Sequence, residues 1–421
     1  MNINKNLIFS EVSSKGSIFK AHRKDRKMTL HYVAAQTGVS SKKLSDFEKG
    51  RTNLKDETIK LLYKCLEIDY VYSEENKIKF KRCFYNFYEA LLCFDENVEN
   101  EYRIAREMLK FIQTTNVYPQ YLLMELIYHV FHNDMLYDYE KNITIIQAHI
   151  QNLDNKQKLI FHDCVALYFM GQKLYHEALK HFEYALEYSH DGAGAIVNYH
   201  KGLLYMDMNN PCRALSCVLK AKFYFDNNHY VKRSILSDLK IACIYRYLHC
   251  YDRALEIYAY CIPLMKSYSM ESKYKTAYIN YLWCMILAEK YNDVITVIDE
   301  LDDELKQSSI FYLYYSLANE KLGHHKLAAK NIIEAKKCLK GCEQTPLLKV
   351  IVKTYYTYLS TNKKQETKLK KLNLTLNEAQ NSNNIELQRF VIEMIIDILD
   401  PELQADAIID YYKMMLKSYK S

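Results

Sequence analysis

Small and aromatic side chains recur along most of this chain at offsets of four and then three residues. The triplets are Ala178, Phe182 and Ala185; Ala214, Val218 and Ala221; Ala254, Tyr258 and Cys261; Val294, Ile298 and Leu301; and Ala328, Ile332 and Ala335. Positions four and seven apart share one face of an α-helix, so each triplet predicts a helix with an apolar seam. Upstream of each lies a second apolar stretch, marked by Ala166 and Phe169, Gly202 and Tyr205, Ala242 and Tyr245, Leu282, and Ser316. Aligning Ala178, Ala214, Ala254, Val294 and Ala328 gives spacings of 36, 40, 40 and 34 residues. A period of that size marks stacked helix pairs, in which small residues let two helices approach and aromatics fill the groove beside them. Weaker versions of the pattern cover Lys77–Thr115, Tyr118–Leu153, Leu347–Asn381 and Ile385–Tyr419, for seven to eight pairs in all. The charged stretch Thr361–Lys371 reads as a longer loop or an exposed helix end. The last amphipathic stretch, with Ile408, Ile409, Tyr412, Met415 and Leu416, reads as a cap on the array or a contact with a second subunit.

Before about Ser73 the pattern is different. Ile18, Phe19 and the region of Ala21 and His22 predict a short first helix. Thr29 suits the N-cap of a second helix beginning at Leu30, with Val33 and Ala34 inward, and Gly38 suits its end, where positive φ is wanted. Ser40 predicts a cap for a third helix, with Leu44 and Phe47 inward and Gly50 at its end. Thr58 to Leu66 predicts a fourth, with Ile59, Leu62 and Leu66 inward.

Charge sharpens this division. Between Lys15 and Lys64 there are thirteen Lys or Arg and five Asp or Glu, a net +8 in a chain whose total is +6. Residues 1–14 are neutral, so everything after Lys64 sums to −2. A local basic excess on a near-neutral remainder fits one nucleic-acid-binding module joined to a larger, near-neutral body.

The run Met28–Arg51 resembles the helix-turn-helix of the phage-repressor (Cro/C1, or XRE) family. The likeness rests on Ala34 with Gly38-Val39-Ser40, on Leu44, Phe47, Glu48 and Gly50, and on the helix from Ile59 to Leu66. It implies a third helix in the major groove, with Ser41, Lys42, Ser45 and Asp46 toward base edges. Thr29, Lys43, Arg51 and Thr52 would lie near phosphates, where contacts position the protein. Glu48 matches a structural glutamate of that family and is assigned no DNA contact. Leu30 departs from the pattern, standing where many members carry a Gln that clamps the backbone.

The expected fold is therefore all-α: a lambda-repressor-like helix-turn-helix domain followed by a tetratricopeptide (TPR) right-handed superhelix. The expected boundaries are a 1–15 extension, a 16–72 DNA-binding domain and a 73–421 repeat domain. In such an array the first helix of each pair lines the concave face. By register that selects Tyr199, His200, Lys240, Arg246, Asn280, Trp283 and Glu320 as candidate peptide contacts. Asn280 can pair with a peptide N–H and C=O together, and Trp283, the only Trp, would be an apolar anchor.

A repressor-type helix-turn-helix followed directly by TPR repeats resembles the RRNPP family of Gram-positive peptide-pheromone receptors, and at this length its longer, NprR- or RstA-like type. That resemblance implies a cytoplasmic homodimer, double-stranded promoter or operator DNA and a short signalling peptide as partners, and quorum-sensing control of transcription, with sporulation or virulence among the associated roles. Two other readings stay open: a TPR adaptor that sequesters a signalling protein, and a phage- or plasmid-type repressor without a peptide ligand.

Catalytic patterns do not compete with these readings. There is no Gly-rich phosphate loop, H-E-x-x-H or G-x-S-x-G string. His129 and His132 sit three apart on a predicted helix with no carboxylate partner evident in the sequence, and His324 and His325 fall in a turn. No enzyme activity, metal or cofactor is expected. The twelve Cys form no C-x-x-C pair and read as small buried hydrophobes. No apolar run reaches the roughly 18 residues of a membrane span.

Overall fold

Thr29 caps the helix Leu30–Thr37 by accepting from the Tyr32 amide, and Gly38 closes it in the left-handed region at φ 70°. Two residues later Ser40 caps Ser41–Glu48, accepting from the Lys43 amide. These helices are α2 and α3 of an N-terminal set completed by α1 (Ser14–Asp25) and α4 (Asp56–Cys65). The computed structural model describes residues 14–71, 73–189, 194–339, 346–360, 363–382 and 384–420. Most of the expected 1–15 extension, and Cys342, lie outside them.

The four helices enclose one core. Phe19, Val33, Leu44, Phe47, Ile59, Leu62, Tyr63 and Leu66 are buried in it. Ala34, expected inward, is only half-buried. Phe19 meets Phe47 at 6.2 Å and the edge of Tyr63 at 5.5 Å between ring centroids. At Gly16, α1 presses so closely on α3 that a Cβ would stand 1.9 Å from the Phe47 carbonyl oxygen. Inside this core Arg23 and Glu48 form a two-toothed ion pair, Nε to Oε1 at 2.6 Å and Nη2 to Oε2 at 2.9 Å. Arg23 Nη1 also donates to the Met28 carbonyl at 2.6 Å. Glu48 thus serves the structure, as the resemblance implies.

The next helices are α5 (Glu74–Cys93), α6 (Val98–Glu107), α7 (Leu109–Ile112), α8 (Tyr118–Phe131), α9 (Tyr139–Ala148), α10 (Asn155–Gly171), α11 (Tyr175–Glu187) and α12 (Ala195–Asp207). By packing, a first unit ends at Leu204 and a second begins at Tyr205. The second holds α13 (Pro211–Asn227), α14 (Val231–Tyr247), α15 (Tyr251–Ser267), α16 (Glu271–Leu287), α17 (Tyr291–Glu300), α18 (Asp303–Lys306), α19 (Ser309–Lys321), α20 (His325–Cys338), α21 (Pro346–Leu359), α22 (Gln365–Asn381), α23 (Ile385–Ile398) and α24 (Ala405–Lys420). No strand occurs among the described residues. Consecutive helices pack in pairs, α5 with α6, α8 with α9 and α10 with α11 in the first unit. In the second, α14 packs with α15, α16 with α17, α19 with α20, α21 with α22 and α23 with α24.

Ala178, Ala214, Ala254, Val294 and Ala328 are all fully buried, each in the first turn of its helix, α11, α13, α15, α17 and α20. Five residues before each stands a turn residue of positive φ: Lys173, Asn209, His249, Glu289 and Gly323. The repeat therefore consists of a left-handed turn that reverses the chain and a small side chain that lets the returning helix sit down. From Gln365 onward the charged stretch is the start of α22, the exposed helix end of the two alternatives, and Thr361 and Asn362 lie outside the described residues. The buried-thiol reading also needs correcting: of the described cysteines only Cys83, Cys164, Cys261 and Cys284 are buried, while Cys93, Cys212 and Cys250 are exposed.

Three buried imidazoles of the first unit make stability depend on pH. His149, His162 and His181 are pushed down to about 4, about 3 and about 4, in each case chiefly because burial disfavours the charged ring. His162 and His181 face each other with their Nδ1 atoms 3.1 Å apart, one donating and the other accepting. Above about pH 6.5 these rings are neutral in both folded and unfolded chains and exact no penalty. As the pH falls from there toward 4, the unfolded chain takes up protons that the folded rings refuse. Each ring then subtracts up to about 1.4 kcal/mol per pH unit from stability. Urea titrations between about pH 7 and 4.5 are expected to show a falling midpoint. Replacing His162 and His181 by Gln should flatten that fall, and an unchanged slope would count against these rings as its source.

Candidate nucleic-acid interface and groove cavity

Helix α3 turns Leu44, Phe47 and Glu48 inward, which leaves the opposite face outward. On it Lys42 and Lys43 are exposed, and Ser41, Ser45 and Asp46 are half-buried. Thr29 and Arg51 are exposed at the approaches, with Thr52 half-buried beside Arg51. Neither α2 nor α3 carries an acidic residue in its first turn. The positive ends of both helix dipoles are therefore left uncompensated, a setting that favours phosphate oxygens.

Two contacts within this face were not legible beforehand. Ser41 Oγ lies 3.2 Å from Nδ1 of the exposed His31. Asp46 Oδ1 lies 3.8 Å from Arg51 Nη1, and the Arg51 amide donates to the Asp46 carbonyl at 2.8 Å. Asp46 thus holds Arg51 in place and partly offsets its charge. Leu30 packs against the four-helix core, so the position where many members of the resembled family carry a Gln supplies apolar contact here.

The seven groove candidates separate. His200 is buried on α12, its Nδ1 2.9 Å from Asp163 Oδ2, and so is occupied within the first unit. Tyr199 beside it is half-buried, its ring against that of His200. Lys240 is half-buried near Asp207, whose carboxyl is raised by burial while Lys240 acts to lower it. Glu320 accepts from His325 Nδ1 at 3.0 Å.

Arg246, Asn280 and Trp283 come together in the second unit. They line a cavity of about 210 Å³ whose apolar walls include Leu313, Tyr314 and Phe390. Arg246 Nη1 donates to Asn280 Oδ1 at 3.2 Å. The Trp283 ring stacks on Tyr314 at 5.8 Å and meets the edge of Phe390 at 5.5 Å. Sequence reasoning missed the fourth polar member, Glu386 at the start of α23. Its Oε1 accepts from Arg246 Nε at 2.9 Å and its Oε2 from the Trp283 indole N–H at 3.2 Å. Burial opposes the Arg246 charge, but Glu386, Cys243 and Tyr258 outweigh it, and the guanidinium is held above its usual value. Glu386 lies 140 residues from Arg246, and no periodicity in the chain marks it.

Among the described residues no group of His, Cys, Asp and Glu could hold a metal ion. No helix among them is long and apolar enough to cross a membrane.

No protein-family model matches this sequence, and no curated protein matches it. Solved structures do share its fold. A Rap protein complexed with competence and sporulation factor superposes with a TM-score of 0.64 at 13% identity, over 82% of this chain and 98% of that one. The quorum sensor NprR from B. thuringiensis, in its apo form, gives 0.55 at 14% identity, over 82% and 99%. NprR in complex with its cognate peptide NprX gives 0.53 at 15%, over 80% and 98%. The chain has the all-helical, TPR-like superhelical fold of these proteins.

Proposed function

We propose that this chain is a DNA-binding transcription regulator gated by a short signalling peptide, of the RRNPP kind. The observation that carries the DNA half is the outward face of α3: Lys42 and Lys43 exposed, Arg51 beside them, and two uncompensated helix N-termini, in a module of net +8. The 16–72 segment is the proposed reading domain. Ser41, Lys42, Ser45 and Asp46 are assigned to base edges, and Thr29, Lys43, Arg51 and Thr52 to the phosphate backbone. The likeness to Rap and NprR, solved with a signalling factor and a cognate peptide, supports the peptide half. Of the groove candidates the reading relies on Arg246, Asn280 and Trp283, which share one cavity. A homodimer would place two reading helices on one operator. Peptide would act by favouring one of two arrangements of those helices, in proportion to its different affinity for each.

Binding to the DNA upstream of the chain's own coding region, followed by fluorescence anisotropy across a salt series, tests this. A regulator that neutralises about six phosphates should lose on the order of a thousandfold in affinity between about 50 and 200 mM salt. An adaptor that docks through apolar surface should bind no DNA, and its partner affinity should be nearly salt-independent. Absence of binding even at low salt would remove the DNA half.

A further inference from the structure

At about 210 Å³ the cavity of the second unit is smaller than the roughly 300 Å³ and upward of small-molecule pockets. Part of the reason is α23, which delivers Glu386 and Phe390 into it. Both oxygens of Glu386 are taken, one by Arg246 Nε and the other by the Trp283 indole, donors that stand on α14 and α16. Arg246 is in turn oriented by the Asn280 carboxamide. The side chains of Arg246 and Glu386 are 11% and 13% exposed, so the pair is nearly dry. Two donors from different helices converge there on a single carboxylate, beside an apolar wall.

We infer that Arg246, Asn280 and Trp283 form a receptor for a peptide carboxylate, and that Glu386 fills it from within. The inference rests on the reading of this groove as a peptide site. Removing Glu386 and leaving nothing in its place would strand a buried guanidinium, which is strongly unfavourable. Exchanging it for another carboxylate leaves the charge and the hydrogen bonds as they were, so the exchange itself is nearly balanced. Glu386 has the advantage of being tethered, equivalent to a high local concentration. An incoming carboxylate prevails only when the rest of its peptide adds contacts, such as an apolar side chain against Trp283, Tyr314 or Phe390. Displacement would also free the first turn of α23, which a second tie holds nearby: Arg389 Nη1 lies 2.7 Å from His249 Nε2. The carboxylate could be a peptide C-terminus or an Asp or Glu side chain.

Trp283 is the only Trp of the chain, so its fluorescence reports on this site alone. Three hexapeptide pools supply the arms: free C-termini without Asp or Glu, amidated C-termini with one Glu, and amidated C-termini without acidic residues. Each is titrated into the full chain and into Glu386→Gln, which keeps the shape and removes the charge. The fraction of protein with its cradle filled reduces apparent affinity in proportion. Glu386→Gln is therefore expected to respond to one or both carboxylate pools at about tenfold lower concentration than the parent, with the neutral pool unchanged. Whichever acidic pool gains identifies the source of the carboxylate. Equal responses of the two proteins, or a neutral pool as effective as the acidic ones, would overturn the inference.

A second arm needs no peptide. Glu386→Ala deletes a fragment the size of acetate, and acetate, not acetamide, should restore several degrees of the melting temperature that the substitution removes. No rescue by acetate overturns the cradle. Rescue without any pool response upholds the cradle and overturns the peptide reading instead.

Discussion

Replacing Glu48 by Ala is expected to destabilise the N-terminal four-helix module by about 3–5 kcal/mol, the usual cost of breaking a buried ion pair by removing one partner. Arg23 is 7% exposed and Glu48 5%. The substitution leaves a guanidinium beneath the core with one carbonyl, that of Met28, as its remaining acceptor. Glu48→Gln keeps the shape and one acceptor and should cost less. Replacing Arg23 and Glu48 together by Met and Leu should restore most of the loss, because two apolar side chains carry no desolvation debt. Urea denaturation followed by circular dichroism gives the three values. A Glu48→Ala variant within about 0.5 kcal/mol of the parent, the range of ordinary surface substitutions, would show that the pair does not hold α1 to α3.

The second large effect concerns binding. Replacing Lys42, Lys43 and Arg51 by Ala should weaken DNA affinity about a hundredfold near physiological salt and reduce the slope of log affinity against log salt by about 1.8, or 0.9 for each of the two phosphates assigned to Lys43 and Arg51. Folding should be unaffected, because all three side chains are exposed. The loss due to Lys43 and Arg51, assigned to phosphates, is expected equally on unrelated sequences. Lys42 replaced alone should instead weaken the operator more than random DNA, since it is the one of the three assigned to a base edge. Anisotropy titrations on operator and scrambled duplexes separate the two roles. An unchanged salt slope in the triple variant would mean that α3 does not face the backbone.

What the sequence made legible was local. A cap acts on amides two or three residues away, and a small residue on the turn before it. Thr29, Gly38, Ser40 and the series from Ala178 to Ala328 could therefore be read from neighbours alone. The fold class followed, because a repeated local rule builds the array without further instruction. The site was legible only by halves. Register brought Arg246, Asn280 and Trp283 to one groove, since each sits on the first helix of a pair. The same register also selected His200, whose ring turns inward because Asp163, a buried carboxylate on α10, needs a partner. Glu386 was invisible for a different reason. Its meeting with Arg246 depends on how α23 returns to the groove, which is a property of accumulated helix packing and not of any short stretch of residues.

The seating of α1 has a mechanical consequence. Its His22 is buried, its ring 4.5 Å from that of Tyr118 and its Nε2 2.8 Å from the Gln113 carbonyl oxygen. Thr114 reaches the Val71 carbonyl at 2.8 Å, and Asp25 pairs with Lys141 on α9. The other face of α1 supplies Ile18 and Phe19 to the interior. One helix thus belongs to two packed bodies at once, and the joint between them is geared where a flexible linker would be slack. A small rotation of α8 would turn α3 with it through side chains that are close-packed and slow to yield. On the proposed reading of two copies on one operator, such a movement of α8 would be felt as a change in the spacing of the two α3 helices.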